Sequence, residues 1–192
     1  MSNDRYTVGC DEAGVGSLMG PLVACAVHIP DGLDVSELQD SKKIKSHEKR
    51  KRIASYLKDN VEFGIGIISN EEIDSIGMAR CRRLVFERSL DDFERKYNQT
   101  PELALIDGTL FDGWKNINFE CHIQGDDKFH CISAASIIAK VERDELVLNL
   151  DNEKYAQYEW VKNKGYGTKT HIAAIQEHGV TEYHRKSFTF KK

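Results

Sequence analysis

The chain has 192 residues, with 27 Lys+Arg against 31 Asp+Glu, a formal net charge of −4, 40% hydrophobic and 30% charged residues. That mixture excludes a disordered or collagen-like chain, and the length suits one domain whose core buries most of its apolar surface. No apolar run approaches the ~20 residues needed to span a bilayer, and the N-terminus lacks a basic flank before an apolar stretch, so a cytoplasmic protein with no membrane partner and no signal peptide is expected.

Residues 6–11 alternate and lead into a glycine turn, as a strand does; residues 22–29 are apolar, rich in Val and Ala, and long enough for a buried strand. Between them Gly14, Gly16 and Gly20 give a loop its backbone freedom. Ser46 can cap a helix to about residue 60, with Ile53 and Leu57 on one face, and 61–68 reads as a third strand. Asn70 can cap one long helix to about Tyr97. A short strand at 103–107 stops at Gly108, and 116–123 alternates as another. A small-residue helix should run from Ser133 to about 150, and a last one from Thr168 to His178, closed by Gly179. Three antiparallel-style strands, then helices alternating with two short strands, indicate an α/β fold with one mixed five-stranded sheet. A single domain is expected over 1–192, its C-terminal part helical from about 150.

The five cysteines (Cys10, Cys25, Cys81, Cys121, Cys131) form no C-x-x-C pair, against a disulfide framework or a zinc ribbon. Charge is unevenly spread. Lys42, Lys43, Lys45, Lys49, Arg50, Lys51, Arg52 and Lys58 stand against one acid, Glu48, and the stretch from Lys162 onward is also basic. Local basic stretches on a mildly acidic chain suit a phosphate track beside a carboxylate cluster.

Four acids stand out by position. Asp11 and Glu12 are expected at the end of the first strand, where Glu12 belongs to the turn; otherwise strand alternation would send the two side chains opposite ways. Asp107 ends a short apolar strand, and Asp126 follows Gly125 ahead of the Ser133 helix. Taken singly, each suits a cap or turn, but ionised groups at the ends of buried strands need a partner or a metal. Oxygen-only donors favour Mg²⁺ or Mn²⁺ over zinc, and converging carboxylates can hold two such ions ~3.5–4 Å apart for in-line attack on a phosphodiester.

Seven blocks together resemble ribonuclease HII. They are Asp11-Glu-Ala-Gly-Val-Gly-Ser-Leu-Met-Gly-Pro21, Asp40-Ser-Lys-Lys43, Ile106-Asp-Gly108, Gly125-Asp-Asp-Lys128, Ser133-Ala-Ala-Ser-Ile-Ile-Ala-Lys-Val-Glu-Arg-Asp144, Gly165-Tyr-Gly-Thr-Lys-Thr-His171 and His184-Arg-Lys-Ser-Phe188. The resemblance implies an RNase H-like fold and an endonuclease that cuts the RNA strand of RNA·DNA hybrids. It also implies nicking 5′ of ribonucleotides in duplex DNA, with two divalent ions and 3′-OH and 5′-phosphate products. The family's metal-binding acids map onto Asp11, Glu12, Asp107 and Asp126, with Asp126 preferred to Asp127 because the family's acid directly follows the Gly or Ala of that block. By the same resemblance Gly14, Val15 and Gly16 correspond to the turn with which the family senses a ribose 2′-OH, and Tyr166 matches the family's tyrosine that stacks on the sugar at the RNA–DNA junction. Lys42, Lys43, Ser133, Ser136, Lys140, Arg143 and Arg185 are candidate phosphate contacts. His184 suits either a phosphate contact or a hydrogen bond in the core.

The pattern breaks at Val15, where the family usually carries arginine, so a charge-assisted phosphate contact is missing from the turn. Weaker binding or looser junction preference is expected, with the chemistry retained. The related ribonuclease HIII usually has Lys there and Ser where Ala13 stands, and carries an extra N-terminal domain, so ribonuclease HII is the closer resemblance. A monomer is expected, and the C-terminus carries no clear clamp-binding peptide. The alternatives are a non-catalytic hybrid-binding module and another RNase H-fold nuclease, such as a resolvase or integrase.

Overall fold

The run 22–28 is apolar at both phases of its alternation because both faces of the sheet it joins are covered. A computed structural model describes residues 5–36, 38, 46–150 and 153–189. Its sheet contains β1 (Thr7–Ala13), β2 (Leu22–His28), β3 (Glu62–Ile68), β4 (Leu103–Asp107) and β5 (Asn118–His122), in the order β3-β2-β1-β4-β5. β1 pairs antiparallel with β2, and β2 with β3; β4 runs parallel to β1, and β5 parallel to β4. The expected mixed five-stranded sheet is present, with β1 at its centre.

Six α-helices and two short 3-10 turns (Gly125–Asp127 and Ala156–Tyr158) join the sheet among the described residues: α1 (His47–Asn60), α2 (Asn70–Ile76), α3 (Met78–Tyr97), α4 (His130–Leu148), α5 (Trp160–Asn163) and α6 (Lys169–His178). The side chains of Ser46 and Thr168 cap α1 and α6. The helix expected from Asn70 to Tyr97 is two helices. Ser69, not Asn70, is its cap, in a reciprocal capping box with Glu72, and Gly77, at φ +80°, separates α2 from α3. The small-residue helix begins at His130, before the expected Ser133.

Burial on α3 falls at Cys81, Val85, Phe86, Ser89, Leu90 and Phe93, a helical stripe. It packs on the sheet face presenting Val8, Cys10, Leu22, Ala24, Ala26, Ala104 and Ile106. The opposite face presents Ala13, Cys25 and Val27 to the alanines and isoleucines of α4, with α1 packed outside. A third cluster gathers Met19, Val147, Tyr155, Tyr158, Trp160 and Ile175 around the C-terminal helices. Among the described residues no helix is long and apolar enough to cross a membrane.

Candidate active site

β1 continues to Ala13, two residues past Asp11, so Asp11 and Glu12 lie on a regular strand paired with Cys25 and Ala24 of β2. The expectation that Glu12 belongs to the turn is therefore corrected, and alternation sends the two carboxylates to opposite faces. Asp11 faces α4, where Ser136 hydrogen-bonds its carboxylate. Glu12 faces α3, where Arg82 donates to its Oε1 through Nε at 2.7 Å and Nη2 at 2.5 Å.

Asp107 lies one register step beyond the Cys10–Ile106 pair, which sets it beside Asp11 on the neighbouring parallel strand. Its Oδ1 accepts the Gly125 N–H at 2.8 Å, tying the end of β4 to the 3-10 turn Gly125–Asp127. In that turn Asp126 is half-buried and Asp127 is exposed. Three distant segments thus converge at the carboxyl ends of β1 and β4.

The electrostatics of this junction are unfavourable as it stands. Asp11 is 7% exposed. Burial pushes its carboxyl up to about 8; Glu12 adds to the rise, the Ser136 hydrogen bond opposes it, and Asp107 adds again. Burial also raises Glu12, while Arg82 pulls it back. Glu12 Oε2 is buried with no hydrogen-bond partner.

A divalent cation suits such a donor set in kind: the oxygens are hard, one is orphaned, and the buried charge lacks compensation. As the side chains stand, no group of three or more His, Cys, Asp or Glu among the described residues is arranged to hold a metal. Glu12 lies on the α3 side of β1, where Arg82 holds it.

The substrate-side candidates divide into two groups. Gly14, at φ +103°, would place an added Cβ 2.8 Å from the Pro21 carbonyl, so the turn requires glycine there, while Gly16 is exposed with open space beside it. Tyr166 lies against this turn through a bridge to Ser17 and the Leu18 N–H to Gly165 carbonyl bond. Lys140 sits 4.6 Å from the Tyr166 ring centroid and pairs with Asp144 at 2.8 Å. It lies one helical turn beyond Ser136, so α4 connects the acids to the tyrosine.

Arg143, Arg185 and Ser133 form the other group and require correction, because none of them presents its polar group to solvent. Arg143 is fully buried and binds Ser17 Oγ and the carbonyls of Met19 and Lys164. Arg185, equally buried, donates to the carbonyls of Val15, Gly20 and Pro21 at 3.1 Å each. Both guanidiniums brace the glycine loop from inside. Ser133 is 2% exposed and donates to the Leu38 carbonyl. Lys42 and Lys43 lie outside the described residues. Sequence reasoning missed Arg82, one of several basic residues along α3; its contact with Glu12 depends on tertiary packing.

His184 is buried, and its hydrogen bonds define its state. Nδ1 accepts the Thr181 N–H, so its Nε2 carries the proton and donates to His171 Nε2 at 3.2 Å. That atom also accepts the Trp160 indole N–H, while His171 Nδ1–H donates to the Tyr166 carbonyl at 3.0 Å. The chain is satisfied only with both rings neutral. Burial pushes His184 down to about 4, and His171 is lowered too. The unfolded chain therefore binds more protons between about pH 6.5 and 4, and this contribution to stability is lost as pH falls through that window. The loss from His184 should be on the order of 2–3 kcal/mol. It is read as the difference in urea unfolding between wild type and His184→Gln at pH 7 and 4.5; parallel losses in the two proteins would refute it.

A central strand and its parallel neighbour, carrying acids at their carboxyl ends in a β3-β2-β1-β4-β5 sheet, define an RNase H-like fold. Ribonuclease HII from an Archaeoglobus fulgidus complex with PCNA superposes with a TM-score of 0.77 at 22% identity, covering 97% of this chain and 96% of that one. Bst-RNase HIII, in a complex with Mn²⁺, superposes with a TM-score of 0.75 at 20% identity over 96% of this chain and 67% of that one. The Ribonuclease HII family model matches residues 8–191, and ribonuclease HII of Pelagibacter ubique is 42% identical, covering 96% of each chain. The chain belongs to the ribonuclease HII family and is an enzyme of the ribonuclease H class.

Proposed function

We propose that the protein hydrolyses the RNA strand of RNA·DNA hybrids and nicks duplex DNA 5′ of an embedded ribonucleotide, leaving 3′-OH and 5′-phosphate ends. The observation that carries this reading is the meeting of Asp11, Asp107 and the Gly125–Asp127 turn beside a buried, unpartnered Glu12 oxygen. Asp11, Glu12, Asp107 and Asp126 would hold two divalent ions, Mg²⁺ or Mn²⁺, with Asp11 on the central strand as the shared ligand. When bound, such ions supply an activated water and charge stabilisation for the departing 3′ oxygen.

The protein's own groups do the rest. Ser136 and the Glu12 N–H, the latter 2.7 Å from Oδ1, hold the Asp11 carboxylate in a set orientation. The backbone of Gly14, Val15 and Gly16 approaches the ribose and reads its 2′-OH, the group that separates RNA from DNA. Tyr166 stacks on the adjoining sugar, with Lys140 beside its ring adding positive charge near the backbone phosphate.

A duplex containing one ribonucleotide, incubated with Mg²⁺, Mn²⁺ or EDTA and mapped to the nucleotide, tests the reading. A single nick 5′ of the ribonucleotide, requiring divalent ion and lost in Asp107→Asn, is expected. Equal cutting of an all-DNA duplex would reject the specificity, and unchanged cleavage by Asp107→Asn would reject the site.

A further inference from the structure

Val15 contributes no charge to the turn; its side chain packs against the core cluster that includes Cys81 of α3. From the next residue of that helix, Arg82 reaches the acids from the other side of β1. Both of its bonds, from Nε and Nη2, end on the same oxygen of Glu12, and Glu12 Oε2 has no partner. This is not the fork-on-fork geometry in which a guanidinium and a carboxylate satisfy each other. Arg82 Nη2 also lies 3.5 Å from the point where a Cβ on Gly108 would stand, next to Asp107. The guanidinium therefore spans the ends of β1 and β4, and its side chain is 26% exposed while that of Glu12 is 5% exposed.

A phosphodiester approaching this point adds negative charge beside Asp11, Glu12 and Asp107. A planar guanidinium with N–H donors to spare is the side chain best matched to phosphate oxygens. We propose that Arg82 is a substrate-phosphate ligand in this protein. It turns from Glu12 Oε1 to a backbone phosphate of the ribonucleotide-containing strand, and the Glu12 carboxylate, which already feels the charge of Asp107 at the strand ends, is thereby released from its cation. The positive charge absent from the turn at Val15 is delivered from α3 instead. This assignment rests on the hybrid-nuclease reading of the same site.

The test is equilibrium binding of a one-ribonucleotide duplex, without divalent ions, across a salt series. Arg82→Gln should weaken binding about tenfold, as expected for loss of one charge-assisted hydrogen bond. It should also flatten the slope of log K against log[salt] by about 0.9, the increment for one phosphate contact. Arg82→Lys should keep the slope. Val15→Arg should restore both affinity and slope to Arg82→Gln, while adding less to the wild type. Calorimetric titration with Mn²⁺ alone should show tighter binding by Arg82→Gln, because Glu12 is no longer held by a cation.

Wild-type affinity and slope in Arg82→Gln would overturn the phosphate assignment, and unchanged Mn²⁺ affinity would overturn the release of Glu12. A wild-type protein that fails to prefer the ribonucleotide duplex over all-DNA would instead bring down the functional reading on which the proposal depends.

Discussion

Replacing Asp11 with Asn should yield a protein that no longer cuts nucleic acid and yet resists urea better than the wild type. Cleavage should fall at least about 10³-fold, equivalent to roughly 4 kcal/mol of barrier, because the shared oxygen donor at the centre of the proposed ion site loses its charge. The stability gain has a separate cause. Burial, with Glu12 and Asp107 adding to it, pushes the Asp11 carboxyl up to about 8, against about 3.9 in an unfolded chain. Between those values the folded state binds more protons than the unfolded one, so this contribution falls as pH rises from about 4 to 8. Asn keeps an acceptor for the Glu12 N–H and removes the charge. Without divalent ions, the variant should gain roughly 1–3 kcal/mol at pH 8 and nothing near pH 4. Urea unfolding in EDTA at the two pH values, beside a cleavage assay, checks both halves. Cutting at the wild-type rate would remove Asp11 from the site, and equal stability at pH 8 would refute the buried-charge account.

A second large effect is expected far from any chemistry. At Gly66 an added Cβ would stand 2.1 Å from the Val85 carbonyl oxygen and 2.7 Å from the Ser89 nitrogen; at Gly64 it would stand 2.2 Å from the Ser89 carbonyl oxygen. The backbone of α3 lies directly on these two residues of β3, and backbone atoms have no rotamer through which to yield. Strand propensity and chain entropy predict that Gly66→Ala should help by about 0.5–1 kcal/mol. Packing predicts the opposite sign: helix and sheet must separate, at a cost of about 3 kcal/mol or more. Against a total of ~5–15 kcal/mol that is a large fraction, lowering Tm by roughly 6–12 °C. Thermal unfolding of Gly66→Ala decides the sign, and a variant as stable as the wild type would refute the close approach. The separated helix also carries Arg82, so any folded Gly66→Ala protein should hold Glu12 less tightly.

The strands and most helix ends were legible because they are written in local patterns. Alternation marked β1, the apolar run 22–29 marked β2, and Ser46, Thr168 and Gly179 marked helix ends through hydrogen bonds spanning only a few residues. The break at Gly77 was less legible, since a glycine inside a helical pattern becomes a boundary only when the chain takes its positive φ. The acids stood out because a charged residue at the end of an apolar strand is costly wherever the strand is placed. Their mutual orientation was another matter. Whether Glu12 belongs to a turn or to the strand depends on its pairing with Ala24, and that pairing involves another segment of chain.

The chain's own order of residues determined most of the secondary elements, the mixed sheet, the family and the acids worth examining, because each of these follows from periodicity, capping or motif. Tertiary structure alone decided that Glu12 faces α3, that Arg82 meets it there, and that Arg143 and Arg185 brace a loop from within. The physical reason is range. A carboxylate's face, a guanidinium's partner and the clearance beside a glycine are set by atoms brought together from remote positions. A basic residue that ends in water and one that ends on a buried carbonyl have the same local sequence signature.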